Sequence, residues 1–127
     1  MRYPAAAATL LFATPAVATG GFECRPIAGH GPTITMAIPH AISASVFQAV
    51  VRDGRRELVA SGRPGDPLLI GQSWIDRQHL WLDLIDPQGQ RFEAKLRARF
   101  LLKAQSAQAI GTLLRNGRSY RVRCIES

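Results

Sequence analysis

Lysine and cysteine are both scarce in this chain of 127 residues, with two of each against fourteen arginines. Long hydrophobic runs are missing altogether. The longest, Ala5–Ala13, falls far short of the roughly 20 apolar residues that cross a bilayer, so no integral membrane segment is expected. Three histidines occur, His30, His40 and His79, and none makes an H-x-H, H-x-x-x-H or H-E-x-x-H pattern. With one cysteine pair assigned to a crosslink, no metal-ligand spacing remains. There is no G-x-S-x-G elbow around Ser45, Ser61 or Ser73, and no glycine-rich phosphate cradle. The carboxylate pairs Asp83 with Asp86 and Asp76 with Asp83 read as short surface turns. These absences argue against an enzyme, and they predict neither cofactor nor metal.

What is present begins with a leader. Arg2 and the free amine precede the apolar stretch, and Ala16-Val17-Ala18 is a small-x-small cleavage site, so residues 1–18 read as a secretory signal peptide. The remaining 19–127 make a single domain with one modest core. Export to an oxidising compartment, periplasmic or secreted, predicts a disulfide between Cys24 and Cys124, which stand at opposite ends of the mature chain.

Beyond the leader, short alternating segments are divided by turn residues, the pattern of an all-β domain. Asp53-Gly54 and Asn116-Gly117 are strong two-residue hairpin signals, and Gly71 suggests a bulge within 68–75. The loop at 62–67 is dense in glycine and proline and reads as rigid and exposed. Residues 91–102 have a helix-forming composition, yet Phe92, Ala94, Leu96, Ala98 and Phe100 alternate with charged residues over ten positions. Pattern outranks propensity, so a strand is expected there, with a short helical turn at 103–106. The count is about seven to eight strands in a small antiparallel barrel or sandwich. Phe22 with Cys24, and Tyr120 with Val122 and Cys124, share inward faces. The crosslink must therefore join the first and last strands, either side by side or face to face across the core.

The formal net charge is +7 and arginine dominates it. Arg97 and Arg99 share an outward face, as do Arg121 and Arg123, while Arg115 and Arg118 flank the last hairpin. Two such pairs on strands about 10 Å apart would form a stripe suited to phosphates, sulfated sugars or acidic proteins. Export removes the chain from nucleic acid, which is not expected as a partner. Trp74 and Trp81 lie on either side of one turn. Trp81 is a shallow binding patch if exposed, and the favoured reading places it in the core.

A leader, Phe22-Glu23-Cys24, a β-rich body, the internal Val59-Ala60-Ser61-Gly62 and a terminal cysteine together resemble the periplasmic inhibitors of c-type lysozyme. Those are disulfide-tied β-barrels that insert a loop into the enzyme cleft, and Ser61 is the residue the resemblance carries over. Arg63 stands where those inhibitors have alanine, and no following tyrosine or Trp-x-Lys-Gly occurs. The arginine stripe carries the first expectation, a non-enzymatic exported β-barrel that binds an anionic envelope polymer or a protein partner through Arg97, Arg99, Arg121 and Arg123. An inhibitor of a secreted hydrolase is the alternative, and a small hydrolase comes third.

Overall fold

Alternation dictates strands through almost the whole of the domain. The computed structural model describes residues 19–39, 46, 48–60, 64–101 and 107–126. The leader and the segment expected to form a helical turn lie outside the described residues, as do Ser45 and Ser61–Arg63. Among the described residues ten strands form one sheet: β1 (Thr19–Pro26), β2 (Thr33–Pro39), β3 (Gln48–Asp53), β4 (Arg56–Ala60), β5 (Asp66–Pro67), β6 (Leu69–Ile75), β7 (His79–Ile85), β8 (Phe92–Phe100), β9 (Gln108–Arg115) and β10 (Arg118–Glu126). Their order across the sheet is β5-β4-β3-β2-β1-β10-β9-β8-β7-β6. That is a four-stranded antiparallel meander with the short parallel β5 on its edge, 19–67, and a five-stranded meander, 69–126, laid edge to edge in a nearly closed barrel.

The two meanders meet at two places. On one side β1 pairs antiparallel with β10, and Cys24 stands directly opposite Cys124. The disulfide between them closes there, with Cα atoms 3.9 Å apart and both residues fully buried. On the other side the chain itself makes the link. β5 pairs parallel with β4 and runs through Leu68, whose N–H donates to the Val59 carbonyl, directly into β6. The crosslink is thus of the side-by-side kind, which selects the barrel over the sandwich. It covers the edges of β1 and β10, which unpaired would be templates for aggregation. The short β5 accounts for part of the higher strand count. It also corrects the reading of 62–67 as loop throughout, because Arg56 on β4 holds Asp66 at 3.1 Å beside it.

Hairpin chemistry sets the register. Gly54, Asn116 and Gly117 all take positive φ (62°, 51° and 74°), the backbone that two-residue turns need to match strand twist. Leu80, Leu82, Leu84, Ala94, Leu96, Ala98, Ala109 and Leu113 then fall on the inner face and are buried. β6 is irregular between Ile70 and Ser73, around Gly71. Gly111 marks the tightest approach of two strands: a Cβ there would lie 2.4 Å from the Ala98 Cα and closer still to the Arg97 carbonyl oxygen. Only glycine lets β8 and β9 bend together at that point.

A second irregularity overturns one expectation. Leu84 pairs with Ala94 but Ile85 pairs with Phe92, so Glu93 is an extra residue bulged out of β8. A bulge resets the alternation, and Phe92 leaves the apolar face: it is 54 % exposed, with the Lys95 Nζ 3.8 Å above its ring. The bulge also supplies acceptors. Arg115, expected at the surface of the last hairpin, is instead only 2 % exposed. Its Nε donates to Asp53 Oδ2 (2.7 Å), and its Nη1 donates to the Glu93 carbonyl (2.9 Å) and to Glu93 Oε2 (3.3 Å). Arg115 follows Ala109, Gly111 and Leu113 on the inward parity of β9, and the parity wins. The guanidinium ties β3 to β8 and β9 at one end of the barrel. Near the other end the rings of Phe22 and Phe100 meet with centroids 5.5 Å apart.

Two outcomes follow from these joints. Cys124→Ser releases a crosslink that spans 100 residues, and the chain-entropy model sets the loss at up to about 4.7 kcal/mol. Denaturant unfolding measures it, and thiol titration of the folded wild type is expected to find no free thiol. Arg115→Met leaves Asp53 and Glu93 without their partner, and about 3 kcal/mol of destabilisation is expected by the same measurement. A change under about 0.5 kcal/mol, typical of a surface site, would contradict the buried role.

Candidate functional site

The outer face of β6 through β10 gathers the side chains singled out by their chemistry. Arg97 and Arg121 both pair across to Thr112, and Arg99 and Arg123 both pair to Ile110. Each pair thus straddles β9, about 10 Å apart. Trp81 is the neighbour of Arg97 on β7, His79 is the neighbour of Arg99, and Trp74 lies opposite Trp81 on β6. On the far side Arg25 of β1 faces Arg123. Two rows therefore cross the sheet at right angles to the strands. One reads Trp74, Trp81, Arg97, Thr112, Arg121, and the other reads His79, Arg99, Ile110, Arg123, Arg25.

The arginines in these rows are not equivalent. Arg97 Nη1 lies 2.8 Å from Asp83 Oδ1, a carboxylate that is itself buried, and the guanidinium sits 5.4 Å from the Trp81 ring centroid. Arg25 is held by Glu23 at 2.7 Å. Arg99, Arg121 and Arg123 have no carboxylate in ion-pair range among the described residues. The expected stripe is therefore present as a face, but its charge is carried by three free arginines with two neutralised ones at its margins. Ser61 lies outside the described residues.

Trp81 corrects the reading that placed it in the core. It is 40 % exposed and Trp74 is 57 % exposed. Because Leu80, Leu82 and Leu84 fill the interior, strict alternation leaves Trp81 outside with the arginines. A cleft of about 470 Å³ lies further round, over β1 and β10 beside Arg25, Ile27, Arg123 and Ile125. A smaller one of about 330 Å³ is bounded by Gln72, Ser73, Trp74 and Trp81.

One carboxylate organises the tryptophan end. Asp76 Oδ1 accepts the backbone N–H of Gln78 (2.7 Å) and of His79 (2.6 Å), and Oδ2 accepts the Trp74 Nε1–H (2.9 Å). The His79 Nδ1 lies 3.0 Å from Oδ2, where its N–H tautomer donates. These bonds, that from His79 foremost and that from Trp74 next, hold the Asp76 carboxyl well below its ordinary value of 3.8, against a small opposing push from burial. Asp83 does not join this group, since it faces Arg97. At the opposite end of β7, burial raises the Asp86 carboxyl, but the backbone N–H groups of Arg91 and Gln90, the Arg91 charge and the Gly89 N–H outweigh it and lower the value overall. Asp86 fixes the turn into β8 and has no part in the arginine face.

Sequence reasoning missed Asp76 as the organiser of the Trp74–His79 turn. The available signal was an aspartate two and three residues ahead of N–H groups in a tight turn, the usual setting of such side-chain caps. The described residues contain no helix long and apolar enough to cross a membrane.

The acid response of Asp76 follows in sign from its lowered value. A carboxylate depressed in the folded state contributes fully above its unfolded value and loses that contribution as pH falls toward the folded one. Asp76→Asn is therefore expected to have a lower thermal midpoint than wild type at neutral pH, with the gap narrowing as pH drops below 3.8. A gap that stays constant down to about pH 2 would contradict this assignment.

Comparison with protein-family models, with curated proteins and with solved structures finds no match to this chain.

Proposed function

We propose that this chain is an exported, non-enzymatic β-barrel protein of the periplasm or the extracellular space, and that it binds an anionic component of the cell envelope through the outer face of β8, β9 and β10. One observation carries the reading. Arg99, Arg121 and Arg123 are exposed on one sheet face, in register, without neutralising carboxylates among the described residues, whereas Arg25, Arg91 and Arg97 each have one and Arg115 has two. Three cations held close together by a rigid sheet repel one another, and an anionic ligand relieves that repulsion. The planar guanidinium suits phosphate, sulfate and carboxylate through paired hydrogen bonds. A disulfide at the seam of the barrel fits an oxidising compartment, where nucleic acid is not at hand.

The reading is tested by titrating the protein with polyphosphate at low and high salt. Affinity is expected to fall steeply as salt rises. It is expected to fall roughly tenfold or more in the triple variant Arg99→Ser, Arg121→Ser, Arg123→Ser, whose thermal midpoint should stay near that of wild type because all three side chains are exposed. Binding that ignores salt, or a triple variant that binds as wild type does, would overturn the assignment.

A further inference from the structure

The arginines explain an attraction to anions, but they leave the two tryptophans unexplained. Burying an indole stabilises a protein, and the sheet has left Trp74 and Trp81 at 57 % and 40 % exposure. Nor are the rings loose. Trp74 is fixed by its Nε1–H bond to Asp76, and Trp81 is held between the edge of His79 (centroids 5.0 Å apart) and the guanidinium of Arg97. Two rigid aromatic surfaces with an open cleft of about 330 Å³ beside them form a preorganised contact whose ordering cost has already been met.

We propose that the Trp74–Trp81 cleft and the free arginines act together as a binding site for an acidic polysaccharide, with the indoles stacking on sugar rings and Arg99 and Arg121 holding the acidic substituents. The inference rests on the anion-binding reading of this face and names the ligand class.

Three features favour a sugar chain. The electron-rich face of an indole attracts the partly positive C–H groups of a sugar ring, and it does so without demanding a charge. A polar group suited to hydroxyls stands beside the rings: Gln72 is exposed, bounds the cleft and shares the outward parity of Trp74, and its amide both donates and accepts. The third feature is geometry. The row Trp74, Trp81, Arg97, Thr112, Arg121 advances by one strand spacing of about 4.8 Å per residue, close to the rise of one sugar unit. A polymer lying along that row would meet aromatic surface first and cations after it. A lipid chain would need an apolar trough that continues, and this one ends at Arg97.

The test uses the folded, disulfide-bonded chain and three probes: polygalacturonate and heparin as acidic sugar polymers, and polyphosphate as a polyanion without sugar. Trp74 and Trp81 are the only tryptophans in the chain, so intrinsic fluorescence reports this site alone. At least one sugar polymer is expected to change the emission. Trp74→Ala and Trp81→Ala are each expected to weaken its binding roughly tenfold, as truncated aromatic anchors do, while polyphosphate binding holds within about twofold. Trp81→Phe keeps a stacking surface and should retain most of the affinity, which also preserves the test if Trp81→Ala folds poorly. If the alanine variants bind the sugar polymers as wild type does, or if wild type binds polyphosphate and neither sugar polymer, the polysaccharide assignment falls and the arginine reading stands. If no probe binds, both fall.

Discussion

Everything on the outer face depends on the pairing of β1 with β10. Each meander is built from neighbours in sequence, through turns that form locally. The contact between the meanders is different, because it joins residues about a hundred positions apart and must offset the entropy of closing that loop. The disulfide carries most of this burden. It sits at the register position where Cys24 and Cys124 are directly opposed, so it fixes the alignment of the seam as well as its existence. A slip of β10 by one residue against β1 would turn the Cys124 sulfur to the outside, along with every inward side chain of β10, and leave Cys24 inside without its partner.

That register is also what makes the functional face. Arg121 and Arg123 are outward because Val122 and Cys124 are inward, and they lie beside Arg97 and Arg99 because β9 is paired correctly on both sides. Gly111 sits at the centre of this arrangement, letting β8 close against β9 beneath the rows of arginine. The core and the surface are two readings of one alternation, so a rigid scaffold presents five arginines and two tryptophans without any dedicated loop.

Much of this was legible from the residues. Asn116-Gly117 and Gly54 act through positive φ, which few residues supply. The first turn falls at Gly54-Arg55, one residue beyond the expected Asp53-Gly54, because Asp53 pairs with Arg56. The inward parity of Cys24 and Cys124 held, since alternation is a backbone property. The strand at Phe92–Phe100 prevailed over its helix-forming composition because Ala94, Leu96 and Ala98 had an interior to fill. What was not legible depends on partners far away in sequence. The Glu93 bulge is a mismatch between two strands, visible only once Leu84 and Ile85 are laid beside it, and it alone exposes Phe92. Arg97 looked like any other surface arginine until Asp83 was found buried beside it. Trp81 followed alternation and ended outside, where hydrophobicity alone would not have put it.

The two seams are unlike in chemistry, and the difference has a consequence. The link through β5 and Leu68 is peptide, while the link at Cys24 and Cys124 is reducible. One cut in the connection between β4 and β5 would turn the barrel into a two-chain molecule, with a half from each side of the cut held by a single sulfur–sulfur bond. In an oxidising medium the halves would stay together as a complemented pair. A reductant would then act as a release agent, taking Arg25 on one half away from Arg123 on the other while Arg99, Arg121 and Arg123 stay together on the second half.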